Sequence, residues 1–72
     1  MDLRDYLHKK RMKASVFARI VNYDPGYLRQ ITGGFILPGD KLKLIIEKAT
    51  GGEVAYGDWP DKKEFEDNRL QA

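Results

Sequence analysis

Apolar residues recur every three or four positions along most of this chain, a spacing that places them on one face of an α-helix. No stretch shows the sustained alternation of apolar and polar residues that is typical of a half-buried strand. The pattern therefore predicts an all-α fold of four or five short helices around one core. The predicted helices cover about residues 2–11, 14–21, 25–32 and 40–50, with one further turn within 54–59.

Residues suited to helix ends support these boundaries. The carboxylates of Asp2 and Asp24 can accept hydrogen bonds from the free N–H groups of a first turn. Pro25 suits a first helical position because it lacks an N–H, and Asn22 tolerates the left-handed backbone that ends a helix. Two glycine pairs are expected to end the third and fourth helices: Gly33-Gly34 and Gly51-Gly52.

The apolar stripes of these helices define a candidate core, and Trp59 is expected to cover its edge. The predicted members are Leu3, Tyr6, Leu7, Val16, Phe17, Ile20, Val21, Leu28, Ile31, Leu42, Ile45, Ile46 and Ala49. Residues 1–60 are therefore one predicted domain. Residues 61–72 carry mostly charged or amide side chains, so we expect a charged, flexible tail or a frayed helix there.

Composition removes several classes of function. With 72 residues, 42% of them apolar, the chain can build one modest core. It has no cysteine, which excludes disulfides and thiolate metal sites, and its one histidine, His8, makes a histidine-rich site unexpected. No apolar run approaches the roughly 18 residues of a membrane span, and no apolar signal segment opens the sequence. We expect a cytoplasmic binding module, not an enzyme, without cofactor, membrane or small-molecule substrate.

Charge is unevenly distributed along the chain. The sequence carries 13 basic and 11 acidic residues, a net of +2. Residues 1–50 contribute ten basic and five acidic groups, a net of +5, whereas residues 51–72 contribute three and six, a net of −3. The basic part can attract a polyanion such as nucleic acid. A solvated surface that is merely basic would have the same composition.

Residues 14–31 have the spacing of two short helices joined by a tight turn. Helices that cross at roughly 90–120° over such a turn need a small side chain where they touch, and Ala18 provides one. Asn22 follows at the corner and can adopt the positive φ that the turn requires. Leu28 and Ile31 then close the core from the second helix. A helix-turn-helix unit of this kind places its second helix in the major groove of DNA.

Residues spread over positions 1–60 match the pattern of a known family. They are Met1-Asp2-Leu3, Tyr6-Leu7, Phe17-Ala18, Tyr27-Leu28, Ile31, Gly34, Pro38 and residues 46–52, Ile-Glu-Lys-Ala-Thr-Gly-Gly. On these residues the chain resembles the helix-turn-helix domains of phage Cro and repressor proteins, of the xenobiotic-response-element type. It is most similar to the YdaS-like branch, small Cro-like regulators often described as antitoxins. The resemblance implies a compact four- to five-helix, lambda-repressor-like domain that binds operator DNA, usually as a homodimer, and regulates transcription.

Three positions depart from the family pattern. Asn22 stands where glycine is usual, an exchange that the left-handed backbone accepts. Ala14 stands where the family often has a glutamine, threonine or serine that reaches a phosphate or braces the reading helix, a contact that is lost unless Ser15 replaces it. Phe35-Ile36 occupy a loop that usually carries lysine or arginine.

The helical pattern and the resemblance together indicate the residues that would contact double-stranded DNA. Arg29 and Gln30 lie opposite the buried side of the third helix, and arginine can bond bidentately to guanine and glutamine to adenine. Tyr27 is expected either to reach a phosphate or a thymine methyl group, or to pack against the preceding helix. The remaining predicted contacts are backbone approach at Pro25 and Gly26, and phosphate contacts from Ser15, Arg19, Lys41 and Lys43.

Phe35, Ile36 and Leu44 add more apolar surface than one small core needs. They are either half exposed without a partner, which is common, or part of a protein interface. Because one short reading helix seldom binds DNA specifically alone, we expect a homodimer on DNA. The alternative function is an antitoxin or protein-interaction module on the same fold, with weak or no DNA binding.

Overall fold

The main chain folds into five α-helices, and no strand occurs in the part that the structure describes. The computed structural model describes the backbone of residues 1–71 and the side chains of residues 1–67. The elements are α1 (Leu3–Lys9), α2 (Ala14–Val21), α3 (Pro25–Thr32), α4 (Asp40–Ala49), a 3-10 turn (Tyr56–Asp58) and α5 (Lys62–Gln71). The predicted all-helical class is confirmed. Within residues 1–71, none of these helices has the length and apolar character that crossing a lipid bilayer requires.

The first helix begins as predicted and ends earlier than expected. The Asp2 carboxylate accepts a hydrogen bond from a first-turn N–H at 2.9 Å. After Lys9 the chain reverses, because Arg11 adopts a left-handed φ of 52°. The Met12 N–H then donates to the Leu7 carbonyl at 2.9 Å. This reversal brings Met12 back against the core, so the helix predicted to run to residue 11 stops at Lys9.

Helices α2 and α3 form a tightly joined unit with the predicted bounds. Asn22 takes a φ of 61° and a ψ of 46°, which confirms the left-handed corner. The Tyr23 N–H donates to the Ala18 carbonyl at 2.9 Å and closes the turn. Asp24 caps α3 by accepting from the Tyr27 N–H at 3.0 Å. Ala18 is fully buried, and α2 and α3 share the most extensive contact of any two elements described.

The core draws on every element from α1 to the segment after α4. Its members are Leu3, Tyr6, Leu7, Phe17, Ala18, Val21, Leu28, Ile31, Leu42, Ile46 and Val54. The prediction for Val16 and Ile20 is wrong, because these side chains are 46% and 57% exposed. They follow one flank of α2, about 100° around the helix from the arc of Phe17 and Val21 that faces the core. Ala49, also predicted to face inward, is exposed at the last residue of α4.

One buried hydroxyl, that of Thr50, holds the segment that follows α4 against the core. Thr50 donates to the Ile46 carbonyl at 2.8 Å and accepts from the Val54 N–H at 3.1 Å. Gly51-Gly52 supply the left-handed backbone of this turn, with φ values of 62° and 87°. Trp59 then packs, partly buried, against the core, as the sequence predicts.

Residues 62–71 form α5, in the segment for which a flexible tail or a frayed helix is predicted. Asp61 caps this helix by accepting from the Glu64 N–H at 2.7 Å. Phe65 is half-buried and lies beside Ile36 and Leu37 of the loop that follows α3. Among the described side chains of α5, Phe65 is the one large apolar group.

Candidate nucleic-acid interface

The exposed face of α3 is determined by the residues beneath it. Leu28 and Ile31 are 0% and 5% exposed and anchor α3 in the core. Arg29 and Gln30 follow the other side of the helix and are exposed, as predicted. Among residues 1–67, neither side chain forms an ion pair or hydrogen bond with another. Both therefore face solvent with their donors and acceptors open to an external ligand.

A carboxylate occupies the N-terminus of α3. Asp24 Oδ2 accepts from the Tyr27 N–H, and a Cβ at Gly26 would stand only 3.0 Å from the same oxygen. Gly26 thus leaves room for the cap, and both Pro25 and Gly26 are half-buried. The cap supplies the negative charge that this helix end favours. It also opposes a phosphate at the same place.

Tyr27 packs within the unit. Its ring lies partly buried against the core and stacks on Tyr23, with centroids 6.2 Å apart and planes inclined by 22°. Of the two predicted roles, packing is the one that the structure displays. The stacked pair spans the turn and so braces the start of α3.

The basic side chains of residues 13–33 have no acidic partner in the described part of the chain. Lys13 and Arg19 are exposed, and Ser15 is half-buried in the first turn of α2. No carboxylate among residues 1–67 pairs with Lys13, Arg19 or Arg29. Residues 13–33 contain three basic residues and one acidic residue, Asp24, a net of +2. This unit therefore presents unneutralised positive charge.

The basic cluster at the end of α1 is instead partly neutralised within the molecule. Lys9 Nζ lies 2.8 Å from Glu53 Oε1, and Lys10 Nζ lies 3.9 Å from Oε2. The hydrogen bond between Lys9 and Glu53 lowers the pKa of Glu53 and raises the pKa of Lys9. Asp58 accepts from the amino group of Met1 at 2.7 Å, and this hydrogen bond lowers the pKa of Asp58. Carboxylates of the acidic second part thus meet cations of the first.

The two predicted lysines of α4 differ in their surroundings. Lys41 is exposed. The Lys43 side chain is only 14% exposed, with Nζ 5.4 Å from the Tyr56 ring centroid and 3.8 Å from Asp40 Oδ1. A hydrogen bond with Asp40 also raises the pKa of Tyr56. Lys43 therefore has partners inside the molecule, and Lys41 is the more open of the two to a phosphate.

The predicted interface residues also separate. Phe35 and Leu44 are 63% and 54% exposed, whereas Ile36 is half-buried against the core.

The core predicted from the sequence wrongly included Val16 and Ile20, which are exposed. The sequence carried a signal for this exposure, because the neighbouring arc of α2 already supplies the apolar side chains that the core needs.

The described residues thus combine one exposed helix face, a set of unpaired cations around it and several exposed apolar side chains. The chain matches no protein-family model, no curated protein and no solved structure.

Proposed function

We propose that this protein is a sequence-specific DNA-binding transcriptional regulator of the Cro and repressor type. In this proposal α2 and α3 form a lambda-repressor-like helix-turn-helix, and α3 reads operator DNA from the major groove. The observation that carries the proposal is the α2–turn–α3 unit, which buries Leu28 and Ile31 and leaves Arg29 and Gln30 exposed. The chemistry is non-covalent and needs no cofactor.

The size of α3 suits the major groove. An α-helix with its side chains is about 10–12 Å in diameter, and the major groove of B-DNA, about 12 Å wide and 8.5 Å deep, admits such a helix. Arg29 can donate two hydrogen bonds to O6 and N7 of guanine, and Gln30 can bond N6 and N7 of adenine. Successive helical residues point about 100° apart, so each of the two side chains addresses its own base pair.

The unpaired cations supply the sequence-independent part of the affinity. Lys13, Arg19 and Lys41 are exposed and have no ion pair among residues 1–67. Neutralising a phosphate releases condensed counterions, so log K falls by about 0.9 per contact against log salt concentration. Three such contacts predict a slope of about −2.7 for each bound copy.

The reading role of Arg29 is tested against that of Arg19. Selection from a random duplex library yields the preferred site of the unaltered protein. We expect Arg29→Ala to lose about 1–3 kcal/mol of discrimination at one base pair, because it removes a bidentate base contact. Arg19→Ala is the matched control, expected to weaken all sequences equally and to reduce the salt slope by about one. Binding is measured by fluorescence anisotropy at several salt concentrations.

Two outcomes would reject α3 as the reading element. The first is a library selection that enriches no sequence. The second is an Arg29→Ala variant that keeps the full sequence preference of the unaltered protein while its fold is intact.

A second candidate is an antitoxin or protein-interaction module on the same helical fold. The exposed ring of Phe35 and the exposed flank of Val16 and Ile20 favour it. The carboxylate of Asp24 at the start of α3 and the lack of any basic residue in 33–39 also favour it. DNA binding that occurs only at low salt and does not discriminate between sequences would support this candidate over the first.

A further inference from the structure

A cleft opens where the start of α1, the end of α3 and the start of α5 come together. Its volume is about 260 Å³. Its apolar side chains come from all three helices and from the loops that connect the helices: Leu3, Ile31, Ile36, Leu37, Trp59 and Phe65. An apolar cavity of about 150 Å³ holds one benzene molecule, so this cleft has room for one aromatic ring with a short side chain. Arg29 and Gln30 do not line it, so its occupation is separable from contact with DNA bases.

The indole group of Trp59 is an unsatisfied donor in the wall of this cleft. Its Nε1 is screened from solvent and has no hydrogen-bond acceptor in the part of the chain that the structure describes. Such a donor has lost its hydrogen bonds to water without replacement, a state that folded proteins largely avoid. An oxygen of a bound molecule can supply the missing acceptor. Because solvent does not reach the N–H, the indole ring or a neighbouring side chain must shift slightly as that oxygen enters.

Arg4 determines the charge of the ligand that the cleft favours. It is exposed, and no carboxylate among residues 1–67 pairs with it. The two carboxylates that line the cleft have partners elsewhere: Asp2 accepts from the Asp5 N–H at 2.9 Å, and Asp58 accepts from the Met1 amino group at 2.7 Å. Arg4 is therefore the one open charge among the described residues of the wall. A guanidinium group can hold a carboxylate through two parallel hydrogen bonds.

We propose that this cleft binds a small aromatic carboxylic acid, as a ligand that is not chemically changed. The carboxylate pairs with Arg4 at the rim, and an oxygen of the ligand accepts from the Trp59 N–H. The aromatic ring packs between the end of α3 and Phe65. A ring is favoured over an open aliphatic chain, because Trp59 and Phe65 can stack on it or meet it edge to face.

The indole N–H of Trp59 reports on binding directly, because the sequence has one tryptophan. The whole chain is titrated without DNA, and its indole signal is followed by ¹H–¹⁵N NMR. The probes are 3-phenylpropionate and its uncharged match, 3-phenylpropionamide. We expect the acid to shift the indole signal with a dissociation constant between about 10 μM and 1 mM, as suits a ligand of about a dozen heavy atoms. The amide should bind about three- to tenfold more weakly, because it lacks the charge that Arg4 recognises.

Two substitutions separate the parts of the site. Arg4→Gln should bind the acid no more tightly than the amide, because it removes the open charge. Arg11→Gln is the matched control, since Arg11 is exposed and does not line the cleft, and it should keep the preference for the acid. Trp59→Phe keeps an aromatic wall without the N–H and should weaken binding of the acid by about three- to tenfold. Saturation transfer to the probe measures this last variant, and circular dichroism melts establish that each variant is folded.

An indole signal that about 10 mM of the acid leaves unmoved would overturn the proposal, since this concentration is ten times the weakest expected dissociation constant. So would equal binding of acid and amide by the unaltered chain, or a folded Trp59→Phe variant that binds the acid with full affinity. A preference lost equally in Arg11→Gln and Arg4→Gln would also reject the site. The titrations contain no DNA and do not depend on the reading role of α3. A chain that selects DNA without binding the acid rejects only the cleft, and the reverse result rejects only the proposed reader.

Discussion

At the scale of single residues, Thr50 is the buried polar side chain around which the chain turns after α4. It is 4% exposed. Its hydroxyl donates to the Ile46 carbonyl and accepts from the Val54 N–H. Val54 is fully buried, so this hydroxyl provides an acceptor for an N–H that solvent does not reach. One side chain thus connects the end of α4 to the segment that carries Trp59.

We expect Thr50→Val to lower the free energy of unfolding by about 1–3 kcal/mol. The substitution keeps the side-chain volume but leaves the buried Val54 N–H without an acceptor. Thr32→Val is the control, since the Thr32 hydroxyl donates to the Arg29 carbonyl at an exposed site, and its effect should stay within about 0.5 kcal/mol. Urea unfolding measures both. Equal losses of unfolding free energy in the two variants would show that the buried hydrogen bond at Thr50 contributes no more to stability than the exposed one at Thr32.

At the scale of elements, α3 depends on its surroundings for stability. A helix of eight residues is marginal alone. Burial of Leu28 and Ile31 and the cap from Asp24 therefore hold it in place. Asp24 has two opposed effects under the proposed function, because its side chain stabilises the helix while its charge repels phosphate at the same end.

Two substitutions at position 24 separate these effects. Asp24→Asn keeps a good capping side chain and removes the charge, so stability should change little. Asp24→Ala removes both and should cost about 1 kcal/mol of unfolding free energy. Both variants should raise DNA affinity by about two- to fivefold, the size of a charge effect at a helix end. Urea unfolding and anisotropy titrations measure the two quantities. Affinity that stays unchanged in both variants would place the phosphate backbone away from this end of α3.

At the scale of the whole molecule, charge and size both bear on how the protein would act. One copy measures 31 Å in its longest dimension. Because it has a single reading helix, α3, it covers one half-site of DNA under the proposed function. Successive major grooves on one face of DNA lie about 34 Å apart. Two copies bound side by side would give two reading helices under the proposed function. Contacts of Glu53 with Lys9 and Lys10 meanwhile withdraw part of the positive charge of α1 from any polyanion.

The contacts of Glu53 and Asp58 with cations make the stability of the fold depend on pH. The folded-state pKa of Glu53 and that of Asp58 lie below their ordinary values. Such groups stabilise the fold above the unfolded-state pKa and lose that contribution as pH falls through the folded-state pKa. The melting temperature should therefore drop as pH falls from about 5 to about 3. Glu53→Gln should show a smaller acid-induced drop in melting temperature than the unaltered chain. Glu64→Gln, the control on α5, should show the same drop as the unaltered chain. Indistinguishable pH profiles for all three proteins would contradict this role of Glu53.

The sequence by itself determined the local structure of the central unit. The bounds of α2 and α3, the left-handed turn at Asn22 and the cap from Asp24 follow from interactions between residues a few positions apart. The exposure of Arg29 and Gln30 was predictable for the same reason, because a helix whose buried positions are known has its outer positions known as well.

Only the tertiary structure decided what depends on the placement of one helix against another. It left Ile20 exposed because the core accepts one arc of α2. It gave Lys43 a partly buried place over Tyr56, and it brought Glu53 to Lys9 across 44 positions of sequence. It also placed Phe65 of α5 beside the loop after α3. The spacing of apolar residues predicts which face of a helix is buried. It does not identify the element that packs against that face, because contacts between residues distant in sequence form only when the helices pack together.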